Sequence, residues 1–144
     1  MGILLESLKK DNFVITENDP ELLQVLDKLP NRKPTRHATQ EQIEKAEIRL
    51  GTKFSSEYKL FLSYFGSLRY DNGEIKGLNS SGKLNVIYMT LKYRGKYKHF
   101  PKDLIVISTY NNIILHDTNG LVYKVIKGKV VLLNNSLLQY LKSL

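Results

Sequence analysis

Between Thr39 and Gly66 the chain spells out two short amphipathic helices, each with its own start and stop. Thr39-Gln40-Glu41-Gln42 fits a capping box, in which a threonine hydroxyl and a glutamine side chain satisfy free first-turn amides reciprocally. Ile43, Ala46 and Leu50 then recur at helical spacing. Gly51 ends the run, because glycine takes the left-handed cap at little cost. After Thr52-Lys53-Phe54, Ser55 or Ser56 starts a second helix with Tyr58, Phe61, Leu62 and Phe65 on one face, closed by Gly66. Two helices that are each apolar along one stripe must bury both stripes against other elements. The aromatic stripe of Tyr58, Phe61 and Phe65 is therefore assigned to the core.

From Ser67 onward the pattern changes. Short strands are expected within residues 68–78, around the turn signal Asp71-Asn72-Gly73. Further strands are expected over 104–108, 113–116, 121–126 and 130–133. Asp117-Thr118-Asn119-Gly120 and Lys127-Gly128 supply hairpin turns. Residues 85–94 fit two readings: Val86, Met89 and Tyr93 suit a helix, while Val86, Tyr88, Thr90 and Tyr93 also suit a strand. Residues 136–144 close with a helix carrying Leu137, Leu138, Leu141 and Leu144 on one face. The order predicts an α+β fold: N-terminal helices, a mostly antiparallel sheet of about five to six strands, and a C-terminal helix.

Upstream, residues 3–10 read as a short helix and 12–16 as a β-prone link. Another helix opens at Asp19-Pro20, with Leu22, Leu23, Leu26 and Leu29 on one face and Pro30 as its stop. Residues 31–37 are polar and basic, contain Pro34, and read as a linker. The expected organisation is residues 1–37 as helical extension and linker, and 38–144 as the main domain, in one compact unit.

Chemistry is sparse. The chain has no cysteine, so disulfides, thiol nucleophiles and thiolate metal sites are excluded together. His37, His99 and His116 lie far apart, and none has a ligand partner at helical spacing. Glu41, Glu44 and Glu47 share a helix with Lys45 and Arg49 and read as a solvated face. No nucleophile elbow or phosphate loop is present. Neither a catalytic residue, nor a metal ligand, nor a cofactor is expected. The N-terminus does not read as a signal peptide and no apolar run is long enough to span a bilayer, so the expectation is a cytoplasmic protein without membrane contact.

The charge is informative because it is uneven. Residues 1–74 hold 11 Lys and Arg against 12 Asp and Glu, whereas residues 75–144 hold 11 against only Asp103 and Asp117. The second half thus carries +9 and the first −1, which together make the net +8. Such a field favours acidic partners and speeds their arrival. It is densest in residues 92–102, where Lys92, Arg94, Lys96, Lys98 and Lys102 interleave with Tyr93, Tyr97 and Phe100 and no acid intervenes. Three readings stand: a docking surface for an acidic protein, a nucleic-acid surface of cations and stacking aromatics, or a solvated loop with Tyr93 and Phe100 tucked inward.

The spacing Ala38-Thr39-x3-Ile43-x2-Ala46-Glu47-x2-Leu50-Gly51, then Phe54-x3-Tyr58-x2-Phe61-Leu62-x3-Gly66, resembles the helix pair of the SUKH superfamily, the Smi/Knr-like proteins. Gly77, Phe100-Pro101-x2-Leu104-Ile105-x-Ile107 and Leu115-His116-Asp117 resemble its later blocks. Ser55 stands where the family usually has proline, Ser67 where it has a second glycine, and Phe100 where leucine is common. The resemblance implies an α+β fold and, for a bacterial member of the YobK-like type, an immunity protein that binds a cognate toxin and blocks it without catalysis. Its structural motif is Ile43, Leu50, Gly51, Tyr58, Phe61, Leu62, Gly66 and Pro101. Combined with the basic segment, it implies a toxin that is acidic at the contact, gripped by Lys92, Arg94, Lys96, Tyr97, Lys98 and Lys102. The alternative is a nucleic-acid-binding accessory or scaffold protein. The chain is expected to be a monomer or a weak homodimer.

Overall fold

The computed structural model describes residues 19–144; the helix expected over 3–10 and the link over 12–16 lie outside them. Among the described residues the order is α1 (Asp19–Asp27), β1 (Lys33–Pro34), α2 (Gln40–Leu50), α3 (Ser56–Phe65), β2 (Leu68–Tyr70), β3 (Gly73–Ile75), a 3-10 turn (Gly82–Leu84), α4 (Val86–Lys96), β4 (Ile105–Ser108), β5 (Ile114–His116), β6 (Val122–Ile126), β7 (Lys129–Asn134) and α5 (Leu137–Lys142).

The local signals operate as their chemistry requires. Thr39 Oγ1 accepts from the Gln42 amide at 3.2 Å, and the Thr39 amide donates to Gln42 Oε1 at 3.0 Å, which is the reciprocal box. Gly51 caps α2 at φ 66°. Ser55, not Ser56, caps α3, its hydroxyl accepting from the Tyr58 amide at 3.1 Å. The ambiguous stretch is a helix: Asn85 Oδ1 accepts from the Tyr88 amide, and Val86, Met89 and Thr90 turn inward while Tyr88 is exposed. Strand alternation fails there because Tyr88 would share a face with Val86 and Thr90.

This is an α+β fold, with its strands divided into two antiparallel sheets, β1-β2-β3 and β4-β5-β6-β7, rather than gathered in one sheet of five or six. The division arises because the chain leaves β3 to build α4 before returning as β4. The sheets meet where the Lys76 amide donates to the Ile107 carbonyl at 2.7 Å. Within residues 31–37, expected as a linker, Lys33–Pro34 pairs with β2 and Thr35 hydrogen-bonds to Ser67 and to the Leu78 carbonyl. Two residues including a proline give no strand signal; β1 exists because β2 offers an edge.

One core joins α1, α2, α3, α5 and one face of the second sheet. Leu22, Leu26, Ile43, Leu50, Phe61 and Leu62 meet Ile105, Ile107, Ile114, Val122 and Leu137 there. Leu22, Leu23 and Leu26 of α1 thus belong to the same core as the helix pair. The intervening side chains Val106 and Leu115 point to the other face, where they pack with Met89 of α4 and Leu104. Period-two alternation therefore explains why β4 and β5 are buried throughout: each face has its own cover. A register shift in β4 leaves the Val106 amide off the ladder, and Thr90 Oγ1 accepts from it at 3.0 Å.

Gly66 and Gly77 lie back to back. The Leu78 amide donates to the Gly66 carbonyl at 2.9 Å, and a Cβ on Gly77 would stand 1.7 Å from that oxygen. Gly66 itself sits at φ 62° against the Arg36 carbonyl. Both glycines are demanded by backbone approach.

Candidate partner-binding site

The cover over the second sheet stops short. α4 lies on β4, with Met89 sharing a cluster with Leu115 of β5, whereas β7 is exposed over most of its length. Between the end of α4 and this uncovered hairpin lies a groove of about 730 Å³. Tyr93, Phe100, Ile113, Leu115, Val125 and Val130 contribute its apolar surface, and Lys96, Lys98, His99 and Lys127 its polar one, with Tyr97 and Pro101 at the same wall. Among the described residues no carboxylate lines it.

The structure sorts the residues of the basic segment. Lys96, Tyr97 and Lys98 reach the groove, and the Lys96 ammonium sits 5.4 Å from the Tyr97 ring centre. Lys92 lies apart, 5.9 Å from the Tyr88 ring centre, beside a second hollow with Arg49, Ile87 and Leu91. Arg94 is occupied internally: Nη1 donates to the Leu50 carbonyl at 2.6 Å and Nη2 to the Lys102 carbonyl at 2.7 Å. Burial lowers its pKa from the usual guanidinium value. It ties the end of α2 to the loop after α4 and so shapes the groove wall. Lys102 contributes its carbonyl to this tie, and its side chain is exposed. Tyr93 packs edge-on against Phe100 with centroids 6.3 Å apart, and burial raises its phenol pKa. The Tyr93 ring also lies 5.6 Å from that of Tyr97, and Tyr97 is the exposed member of the three.

Ile113, Val125, Lys127 and Val130 come from the hairpins and were not singled out by sequence. The available signal was the lack of any Asp or Glu after Asp117, which leaves Lys124, Lys127, Lys129 and Lys142 unopposed along the chain. Of the family motif residues, Ile43, Leu50, Tyr58, Phe61 and Leu62 are in the core, Gly51 and Gly66 end helices, and Pro101 borders the groove.

Elsewhere, Ser55 Oγ and His116 Nε2 stand 2.6 Å apart, which is nucleophile-to-base distance. Both are buried, and the same hydroxyl caps α3. His116 Nδ1 bonds the Leu121 carbonyl at 3.0 Å, so the neutral ring donates there and accepts from Ser55. Burial pulls the His116 pKa down to about 4. The pair therefore fastens α3 to β5 through a neutral imidazole. Asp117 turns back on its own loop, accepting from the Asn119 and Leu121 amides and from the Tyr123 hydroxyl. Glu47, expected on a solvated face, is buried: it accepts from the Phe54 amide at 2.8 Å and lies 3.6 Å from Lys59. It faces the interhelix turn, whose free amide needs an acceptor. Lys76 is fully buried, paired with Glu74 at 2.7 Å and donating to the Lys83 carbonyl. Burial lowers its pKa, while Glu74 opposes the shift. Among the described residues no helix is long and apolar enough to cross a membrane.

Compared with known proteins, residues 16–142 match the family model SUKH_5, described as SMI1-KNR4 cell-wall. No curated protein matches the chain.

Proposed function

Because the chain belongs to the SMI1-KNR4 family of the SUKH superfamily, matched over residues 16–142, we propose that it is a non-catalytic immunity protein that binds a cognate toxin and occludes it. The observation that carries this reading is the groove: an apolar, partly aromatic surface with lysines around it and, among the described residues, no carboxylate. Such a surface offers buried contact area for an anchor and a single sign of charge for recognition. Lys96, Lys98 and Lys127 steer an acidic surface toward it, and Tyr97 supplies an amphipathic contact at low entropy cost. Arg94 acts indirectly by holding the wall. Lys92 and Lys102 add to the field from outside the groove. On this reading the encounter takes place in the cytoplasm and needs no cofactor.

The charge also selects the toxin. A nuclease whose active site is basic would meet Lys96, Lys98 and Lys127 with like charge, which is unfavourable in a desolvated contact. The cognate toxin is therefore acidic where it touches this chain. The test is a pull-down with the protein encoded beside this one, with nuclease added, at low salt and at about 0.5 M salt, where exposed charges are largely screened. A stoichiometric protein complex that survives both conditions is the expected result. Co-purifying nucleic acid that salt strips away, with no protein partner, would transfer the groove to nucleic-acid binding and overturn the proposal.

A further inference from the structure

β7 pairs with β6 on one side and, among the described residues, with no strand on the other. Edge strands are ordinarily blunted by lysine, proline or brevity, because their free amides and carbonyls are templates for another strand. β7 has six residues, with a lysine only at its start and no proline. Val130, Val131, Leu132 and Leu133 are 42, 43, 52 and 42% exposed.

The backbone geometry points the same way. Lys127 and Gly128 both have positive φ, 49° and 77°, the signature of a two-residue hairpin turn. Such a turn makes Ile126 and Lys129 the first hydrogen-bonded pair. Antiparallel alternation then directs the amides and carbonyls of Val130 and Leu132 away from β6, toward the open edge.

We propose that the partner adds an extended acidic segment to this edge as a fifth strand of the sheet. The proposal rests on reading the groove as the partner surface and specifies how the partner enters it. Charge chooses the occupant. A second copy of this chain would bring its own Lys127 and Lys129 to the same edge, and the chain holds no Asp or Glu after Asp117 to receive them. A segment in which acidic and apolar residues alternate fits both faces. Its carboxylates would lie on the groove side, toward Lys96, Lys98 and Lys127. Its apolar side chains would lie beside Val131 and Leu133 on the other.

The test uses the full chain and three blocked peptides of about eight residues, the length of an ordinary strand. One alternates valine and glutamate. The second has lysine for glutamate. The third is the acidic peptide N-methylated at alternate residues, so that its charge is kept and its edge hydrogen bonding is removed. Amide exchange is followed residue by residue by NMR. The acidic peptide is expected to slow exchange of the Val130 and Leu132 amides at least tenfold, and the other two peptides are not. Equal binding by the acidic and N-methylated peptides, with perturbation confined to Lys96, Tyr97 and Lys98, would refute strand addition and leave the groove reading standing. Protection of the two amides that grows with protein concentration alone would give the edge to a second copy and overturn the proposal. Binding by none of the peptides would also overturn it, whatever the pull-down shows of the whole toxin.

Discussion

Protonating His116 should unfold the interface between α3 and β5, and the pH at which it does so can be worked out. The ring is buried, donates from Nδ1 to the Leu121 carbonyl, and accepts at Nε2 from Ser55. Gaining a proton removes the acceptor and places a cation beside Tyr58 in the core. The folded pKa is about 4, against 6.5 for the free side chain. Because the folded value is the lower one, the unfolded chain binds more protons between these limits. The contribution is therefore complete above pH 6.5 and is lost as pH falls toward 4. Linkage over that gap amounts to roughly 3 kcal/mol, of which about 2.5 kcal/mol has gone by pH 4.5. Carboxylates also contribute to acid lability, so the measurement is a difference. Urea unfolding of the native chain and of His116→Gln is followed at several pH values between about 7.5 and 4.5. Glutamine keeps one donor and one acceptor but does not titrate in this range. The variant should lose stability less steeply on acidification, by roughly 2 to 3 kcal/mol over the range. Parallel curves for the two proteins, or an imidazole that titrates above pH 6 in the folded state, would refute the argument.

Three other outcomes follow from contacts already described. Gly77→Ala puts a methyl group 1.7 Å from the Gly66 carbonyl oxygen, so the chain should lose more than about 4 kcal/mol or fail to unfold cooperatively on heating. Arg94→Met leaves the Leu50 and Lys102 carbonyls without their guanidinium donor; it should cost about 2–4 kcal/mol in denaturant unfolding and speed amide exchange across 97–102. Lys127→Asn places a residue tolerant of the left-handed region at φ 49° and should raise stability by about 0.5–1 kcal/mol, read as a higher melting temperature.

What was legible in the sequence was local. Capping boxes, C-terminal glycines and hairpin turns are decided by residues within about four positions of one another, which is why α2, α3 and the β4–β7 meander lie close to where they were expected. Composition alone could not assign 85–94, because the same residues satisfy both periodicities; the side chains' surroundings decide, with Met89 over the sheet and Thr90 on a stray amide. Contacts between distant positions were illegible for the opposite reason. Ser55 and His116 are 61 residues apart, and nothing near either announces the other. The basic segment was visible as a charge run, but its division was not. Only the fold reveals that Arg94 is engaged by two carbonyls, that Lys92 faces another hollow, and that the groove is completed by Val125, Lys127 and Val130.

The contact between α1 and α5 has a consequence for biosynthesis. Glu21 pairs with Lys142, and Leu22 and Leu26 share a core with Leu137 and Leu138, while Glu57 accepts from the first two amides of α5. More than a hundred residues separate the two sides of this contact. On the ribosome, α1 therefore emerges long before its cover, and α2 and α3 must wait with it. Until residues 137–142 leave the exit tunnel, the nascent chain presents an unsealed apolar surface. That interval, rather than any property of the finished protein, is when a chaperone would have most to hold.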